Sequence, residues 1–348
     1  MKMILVSILA ALFVSTSPAA RTLDVYVIDV EGGKALLVIS PAGESLLIDV
    51  GWPKSNGREA STERLIADFK TLGVKRIDYL VISHFDTDHI GDVPALAARF
   101  PVRRIVDHGP LTTTGKGVEA RYKPYSDLFS NIEHIAVRPG DTIPLKGIEV
   151  QVVASAGNVI DKPMKGGGAP NPWCASSRQE DAIVQDAEDN MSVGLLFTLG
   201  KFRMLDLADL EAHQDWYLGC PNNLIGAVDV YQANVHGQFK GMEPVLVNAL
   251  HPRVAMMGNG ARKGGDPETW RVLRATPGLE AVWQSHFSVA GGEDHNPPAD
   301  FIANPDPDPS KDQNRMIKLS AQPDGGFTIT NMRNNFSTMY PSNPASHP

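Results

Sequence analysis

The stretch SHFDTDHIGD, Ser83–Asp92, places two histidines and three aspartates directly behind the apolar run YLVI. That run reads as a buried strand. His84, Asp86, Asp88 and His89 follow the pattern H-x-D-x-D-H. A turn that leaves a strand can aim alternate side chains at one centre, and imidazole and carboxylate both bind divalent cations well. Without a ligand, four such groups so close together need neutralising. A metal ion supplies that neutralisation, and the competing reading is a solvated acidic loop. The spacing favours a metal cage at the end of a sheet strand.

The rest of the chain supplies the sheets. LDVYVIDV (Leu23–Val30), KALLVIS (Lys34–Ser40) and ESLLIDVG (Glu44–Gly51) are short strand-like runs separated by Gly-Gly and Pro-Ala-Gly, as in an antiparallel meander. STERLIADFKTLG reads as a helix capped by Ser61 and stopped by Gly73. IDYLVIS (Ile77–Ser83) and VRRIVD (Val102–Asp107) are further strands, with a short helix in DVPALAARF between them. IEVQVVAS is a strand, and SVGLLFTLG with KFRMLDLAD form a hairpin turning at Leu199-Gly200-Lys201. AVDVYQA, RVAMM and LEAVWQSHF alternate with helical stretches around MEPVLVNAL and PETWRVLRA. NRMIKLSA and GFTITNM form a late hairpin. A meander followed by strands alternating with helices predicts an α/β fold of two mixed sheets covered by helices. The Gly/Pro/Asn/Asp-rich segment Ala156–Asp189 is too long for an ordinary connection and reads as a functional surface loop.

Three domain-level expectations follow. Lys2, the apolar run Met3–Val14 and the small residues Ser17 and Ala19 predict a signal peptide over residues 1–19, and hence a secreted or periplasmic protein. The apolar run falls short of the about 20 residues that a membrane span needs, so no span is expected in the mature chain. Residues 20–333 form one domain, and 334–348 read as a disordered tail. In an exported protein, Cys174 and Cys220 can pair. A formal net charge of −8 and the lack of a Lys/Arg cluster argue against a stable nucleic-acid complex.

Several motifs together resemble the metallo-β-lactamase superfamily. SHFDTDHIGD is similar to its H-x-H-x-D-H signature, with Asp86 where the second His usually stands. That variant resembles the branch containing the β-lactamase-like domain of the competence protein ComEC. DVEGGKALLVISPAGESLLIDVG is similar to the family's opening, with Lys34 near the place of its second Asp. NMSVGLLFTLGKFRMLDLADLE resembles its N-x-S strand pair, and DVYQANVHG a segment that in relatives ends in HHG. The resemblance implies a four-layer αββα sandwich. It implies Asp209 as the metal-bridging carboxylate and His236 as a ligand, beside His84, Asp86, Asp88 and His89. It implies Asp49 in LIDVG as an orienter of the metal-binding loop, although by itself Asp49 reads equally as a turn cap. Val235 replaces the first His of HHG. The third-motif His is not evident, and Asn190, just before the expected strand, is a poor ligand. His108 in IVDHGP and His286 in WQSHF each end a strand-like run, and either is a candidate to complete the shell.

The implied activity is metal-assisted hydrolysis, with one or two divalent ions, zinc or manganese, lowering the pKa of a bound water to about 7. Asp88 is the candidate catalytic group that orients that water. Phosphodiester, lactone and β-lactam-like small molecules all suit such a site. The alternative is a non-catalytic binding protein on the same scaffold with a partly eroded metal site. No G-x-S-x-G supports a serine nucleophile, and KGGGAP (Lys165–Pro170) lacks the ending of a phosphate loop.

Overall fold

Along the strands Leu23–Val27, Leu36–Ile39 and Ser45–Ile48, odd and even positions are both apolar and both buried. Such strands need cover on two faces. In the computed structural model Val25, Val38 and Leu46 pack inward against Val150, Leu195 and Phe197 of a second sheet. Tyr26, Leu37 and Leu47 point outward, into a cluster with Leu65, Phe69 and Leu96. The second sheet repeats the scheme: its outward Leu196, Leu205 and Tyr231 lie under Leu218, Leu246, Leu250 and Leu273. The layers are therefore helix, sheet, sheet, helix, as expected. The structure describes residues 22–55, 60–114, 117–176, 187–241, 244–308, 311 and 313–342. The expected signal peptide lies outside them.

The first sheet has nine strands, ordered Phe336–Tyr340, Phe327–Asn331, Ile317–Ala321, Leu23–Val27, Leu36–Ile39, Ser45–Ile48, Tyr79–Val81, Arg104–Asp107 and Glu133–Ala136. It is antiparallel up to Ser45–Ile48 and parallel beyond. The second has eight: Ile302–Asn304, Ala281–His286, Val254–Met257, Val230–Gln232, Phe202–Asp206, Gly194–Leu199, Glu149–Ser155 and Asn158–Val159. Its parallel part runs from Phe202–Asp206 to Ile302–Asn304. Ligands of open α/β sheets bind outside the carboxyl ends of parallel strands, and the histidines and aspartates gather there.

Two sequence expectations need correcting. The tail from residue 334 is not disordered throughout: Phe336–Tyr340 forms the outermost strand. Phe336 packs near Trp283 and Phe301, and the Trp283 indole N–H donates to the Tyr340 hydroxyl at 3.1 Å, which ties this polar-looking segment down. Residues 343–348 lie outside the described residues. Ser61 does not cap its helix. It is the first helical residue of Ser61–Leu72, and its hydroxyl accepts the Trp52 N–H at 2.9 Å; Gly73, at φ 74°, ends the helix as expected.

The long loop is anchored near its middle. Ala169–Pro170 pairs with Asn222–Asn223, and Cys174 is joined to Cys220, with Cα atoms 5.8 Å apart. Part of that loop, 177–186, lies outside the described residues.

Candidate metal centre

Directly beyond the strand Tyr79–Val81 the chain turns into the short helix Thr87–Ile90. The tight turn explains two glycines. A Cβ on Gly91 would lie 2.2 Å from the Thr87 carbonyl oxygen and 2.3 Å from Pro53. A Cβ on Gly33 would lie 2.7 Å from the Asp88 carbonyl oxygen, which accepts the Lys34 N–H at 3.0 Å. The Gly-Gly of the opening meander is thus where the first hairpin rests on the metal-binding loop.

The loop delivers Asp88 and His89 to a buried cluster with Asp209 and His236. His89 Nε2 is 3.2 Å from Asp88 Oδ2 and 3.4 Å from Asp209 Oδ2. His236 Nε2 is 3.1 Å and 3.2 Å from the same two oxygens. A second group holds His84, Asp86 and Asp189, with His84 Nε2 3.5 Å from Asp189 Oδ1. In each group the ligand atoms lie within 4.8 Å of one another. Asp209 follows Phe202–Asp206, and His236 follows Val230–Gln232, so both stand at carboxyl ends of the second sheet. Asp206, the neighbouring aspartate in LDLADLE, is turned away and accepts from Lys34 Nζ at 2.7 Å.

The histidines are presented in one manner. His89 Nδ1 faces Asp49 Oδ2 at 2.8 Å, and Asp49 also accepts the Ser83 N–H and hydroxyl at 2.8 and 2.6 Å. His236 Nδ1 lies 3.2 Å from the Gly258 carbonyl oxygen. A carbonyl only accepts, so Nδ1 of His236 donates to it and Nε2 is the atom turned toward the carboxylates. His84 Nδ1 lies 3.1 Å from the Ser83 hydroxyl and 3.4 Å from that of Ser192. The Nε2 atoms of all three are buried and make no hydrogen bond. Buried polar atoms are nearly always satisfied; three orphaned nitrogens facing carboxylates fit the donor set of one or more divalent cations.

The charges say the same. Burial opposes a proton on His89, but the carboxylates of Asp209, Asp88 and Asp49 outweigh it and raise its pKa well above the ordinary value. Burial likewise pushes Asp88 and Asp209 up. His89 with Lys263 outweighs it for Asp88, and His236 with His89 for Asp209, and both are held well below the carboxylate range. The cluster demands positive charge, which protons supply without a metal and a divalent cation would supply with one.

Two of the histidines considered as completing ligands are engaged elsewhere. His108 Nε2 faces Glu188 Oε1 at 3.3 Å, and His286 Nε2 faces Asp29 Oδ1 at 2.6 Å. Neither belongs to the two ligand groups. The Asn190 amide donates to Glu211 Oε2 at 3.0 Å. The residue beside His84 and Asp86 is instead Asp189, one position before Asn190. The acidic run in QDAEDN is its sequence signal, obscured because the family pattern has a histidine in this region. Glu188 supports it: burial raises its pKa, but hydrogen bonds from His108 and Thr113 prevail and hold it down to about 2. Three cations also surround the clusters. Lys263 pairs with Asp88, Lys240 with Asp189 and Glu211, and Arg121 with Asp86 at 2.9 Å.

Residues 28–170 match the model of the metallo-beta-lactamase superfamily. ComE operon protein 3 of Bacillus subtilis (strain 168) is 22% identical over 250 residues, 68% of this chain but 28% of that protein. The match therefore takes in well under half of that relative. Among solved structures, the metallo-beta-lactamase fold protein YhfI from Bacillus subtilis aligns with a TM-score of 0.46 and 14% identity, covering 76% of this chain and 96% of that one. CmlA, a diiron beta-hydroxylase from Streptomyces venezuelae, aligns with a TM-score of 0.40 and 15% identity, covering 70% and 46%. The family match begins directly after the first strand and runs through the H-x-D-x-D-H turn, so residues 28–170 belong to the metallo-β-lactamase superfamily, and the chain is a distant homologue of ComE operon protein 3.

Proposed function

We propose that the protein is a metal-dependent hydrolase acting on an anionic substrate, with a phosphodiester as the favoured class. The observation that carries the reading is the convergence of three hydrogen-bond-free Nε2 atoms, of His84, His89 and His236, on the carboxylates of Asp88, Asp209 and Asp189. His89, His236, Asp88 and Asp209 would hold one divalent ion, and His84, Asp86 and Asp189 a second. Ions bound there supply Lewis acidity and a water of lowered pKa. Asp209 stands between His89 and His236, and its charge also reaches His84, which suits a bridging role. Asp88 orients the attacking water and accepts its proton. Arg121, Lys240 and Lys263 are positioned to receive the negative charge of the substrate, which favours a phosphodiester over an uncharged lactone.

The lysines also support a second reading. Lys263 and Lys240 already neutralise Asp88 and Asp189, as they would in a binding protein whose metal site has eroded. Metal analysis of the purified full chain separates the two, combined with assays on bis(p-nitrophenyl) phosphate, a lactone and a β-lactam. Near-stoichiometric metal with phosphodiester turnover supports the hydrolase. A protein that binds no zinc or manganese at micromolar concentration is the eroded scaffold. We also propose export, with residues 1–19 removed, because the disulfide needs an oxidising compartment. Among the described residues no helix is long and apolar enough to cross a membrane.

A further inference from the structure

The metal cluster occupies one end of the second sheet. At the other end, beside the hairpin that joins Gly194–Leu199 to Phe202–Asp206, lies a cavity of about 740 Å³. Its position follows from the register. Glu149 pairs with Thr198, and Thr198 with Arg203, so the three form one row across the sheet. Val150, Phe197 and Phe202 take the opposite face and enter the core between the sheets. The row therefore looks outward, where the helices should cover it. Their apolar contacts reach Leu196 and Leu205 but stop short of the hairpin. The gap is closed at the side by Lys165 and Gly166, from the glycine-rich KGGGAP segment that the metal centre does not use.

Arg203 is the feature that assigns the gap a ligand. It is only 8% exposed. Its Nη1 donates to the Ala227 carbonyl at 2.6 Å and Nη2 to the Ile225 carbonyl at 2.7 Å. These bonds fix the guanidinium. Burial opposes its ionised form and the charges of Asp229 and then Glu149 favour it, but among the described residues neither carboxylate comes within ion-pair distance of it. Burial still outweighs the help of these two carboxylates, so a further anion at the guanidinium would be stabilising. Lys165 and Lys201 add two more cations to the wall, against one acid, Glu149. Such a concentration of positive charge runs against the field of a chain whose net charge is −8. Ile148, Leu199 and Ala227 give the same wall apolar surface. Small-molecule sites typically measure about 300–1,000 Å³ and combine apolar walls with a few fixed polar groups.

We propose that this cavity is a second binding site, distinct from the metal centre, for a small organic anion: a carboxylate or sulfonate on an apolar body, its charge at Arg203. The test is a fluorescence titration of the full chain with 8-anilinonaphthalene-1-sulfonate, compared with the uncharged N-phenyl-1-naphthylamine. The sulfonate should bind saturably, one per chain, at least tenfold more tightly than the neutral dye. The double variant Lys165→Glu, Lys201→Glu changes exposed residues and should weaken it at least fivefold. Thr198→Trp, which fills the cavity, should abolish it, while Asp209→Ala in the metal centre should leave it unchanged. The proposal is overturned if the sulfonate does not saturate, if the neutral dye binds equally well, or if binding ignores both the charge reversal and Thr198→Trp. Loss of sulfonate binding in Asp209→Ala would place the dye at the metal centre and overturn it as well.

Discussion

Asp49 Oδ2 lies 2.8 Å from Nδ1 of His89, with both side chains fully buried. Asp49 holds this place from a left-handed backbone position, φ 61°. Few non-glycine residues sit there, though Asp tolerates it better than most. The contact turns His89 so that Nε2 faces Asp88 and Asp209. Outer partners of this kind typically contribute 10–100-fold to metal affinity. Asp49→Asn should therefore weaken metal binding about 10–100-fold, read by competition with a chromogenic chelator. Unchanged affinity in a folded variant would remove Asp49 from the metal centre.

His236, His286 and His108 should respond differently to substitution by alanine. His236→Ala should lose the metal shared with His89 and most of the activity. His286→Ala and His108→Ala should keep metal content, since their partners are Asp29 and Glu188. His286→Ala leaves Asp29 buried beside fewer partners and should lower stability by about 1–3 kcal/mol. Metal analysis and thermal unfolding of the three variants check this. Metal loss in His286→Ala with retention in His236→Ala would reverse the assignment.

Asp209→Ala should abolish turnover and leave the far-ultraviolet circular dichroism spectrum unchanged. The side chain lies beyond the strand Phe202–Asp206, outside the apolar clusters that hold the sheets together. Activity within tenfold of the native protein would exclude a bridging role.

Asp68 makes stability depend on pH. One carboxylate oxygen is buried without a hydrogen bond, and burial, then the charge of Asp29, pushes its pKa up to about 7. The folded state thus keeps this proton to higher pH than the unfolded chain, whose aspartates titrate near about 4. Linkage then makes the contribution of Asp68 to stability fall as pH rises from about 4 to 7, and stay low above that. Asp68→Asn cannot ionise and should be more stable than the native protein at pH 8, by about 1–3 kcal/mol. The difference should vanish below pH 4. Denaturant midpoints at both pH values test the sign.

The disulfide closes a loop with a sequence separation of 46. Replacing Cys174 and Cys220 together by serine should cost up to about 4 kcal/mol in the chain-entropy model. It should also loosen the Ala169–Pro170 pairing with Asn222–Asn223, read as faster proteolysis between residues 156 and 189. A double variant as stable and as resistant as the native chain would show that the pairing, not the bridge, holds the loop.

What could be read from the sequence was what is local. The H-x-D-x-D-H turn, the helix Ser61–Leu72 with Gly73 at its end, and the hairpin at Gly200 carry their signals within a dozen residues. Completion of the site could not be read in that way. His286 looks like a free imidazole until Asp29, which folds against it from the other end of the chain, takes its Nε2. Asp189 looks like one acid among several until Lys240 and His84 converge on it. The strand Phe336–Tyr340 alternates exposed Ser337 and Met339 with positions whose apolar partners, such as Trp283, are remote in sequence. Long-range partners, not local pattern, decide these cases.

The strand Leu23–Val27 lies between Leu36–Ile39 and Ile317–Ala321, so one of its neighbours is close in sequence and the other is remote. The segment up to Ala321 must be synthesised before the nine-stranded sheet can close around Leu23–Val27. Until then that strand lacks its native neighbour along one edge. A nascent chain of this topology remains threadable for longer than one whose first strands complete a sheet early. The first sheet is complete only once the hairpin of Ile317–Ala321 and Phe327–Asn331 has joined Leu23–Val27.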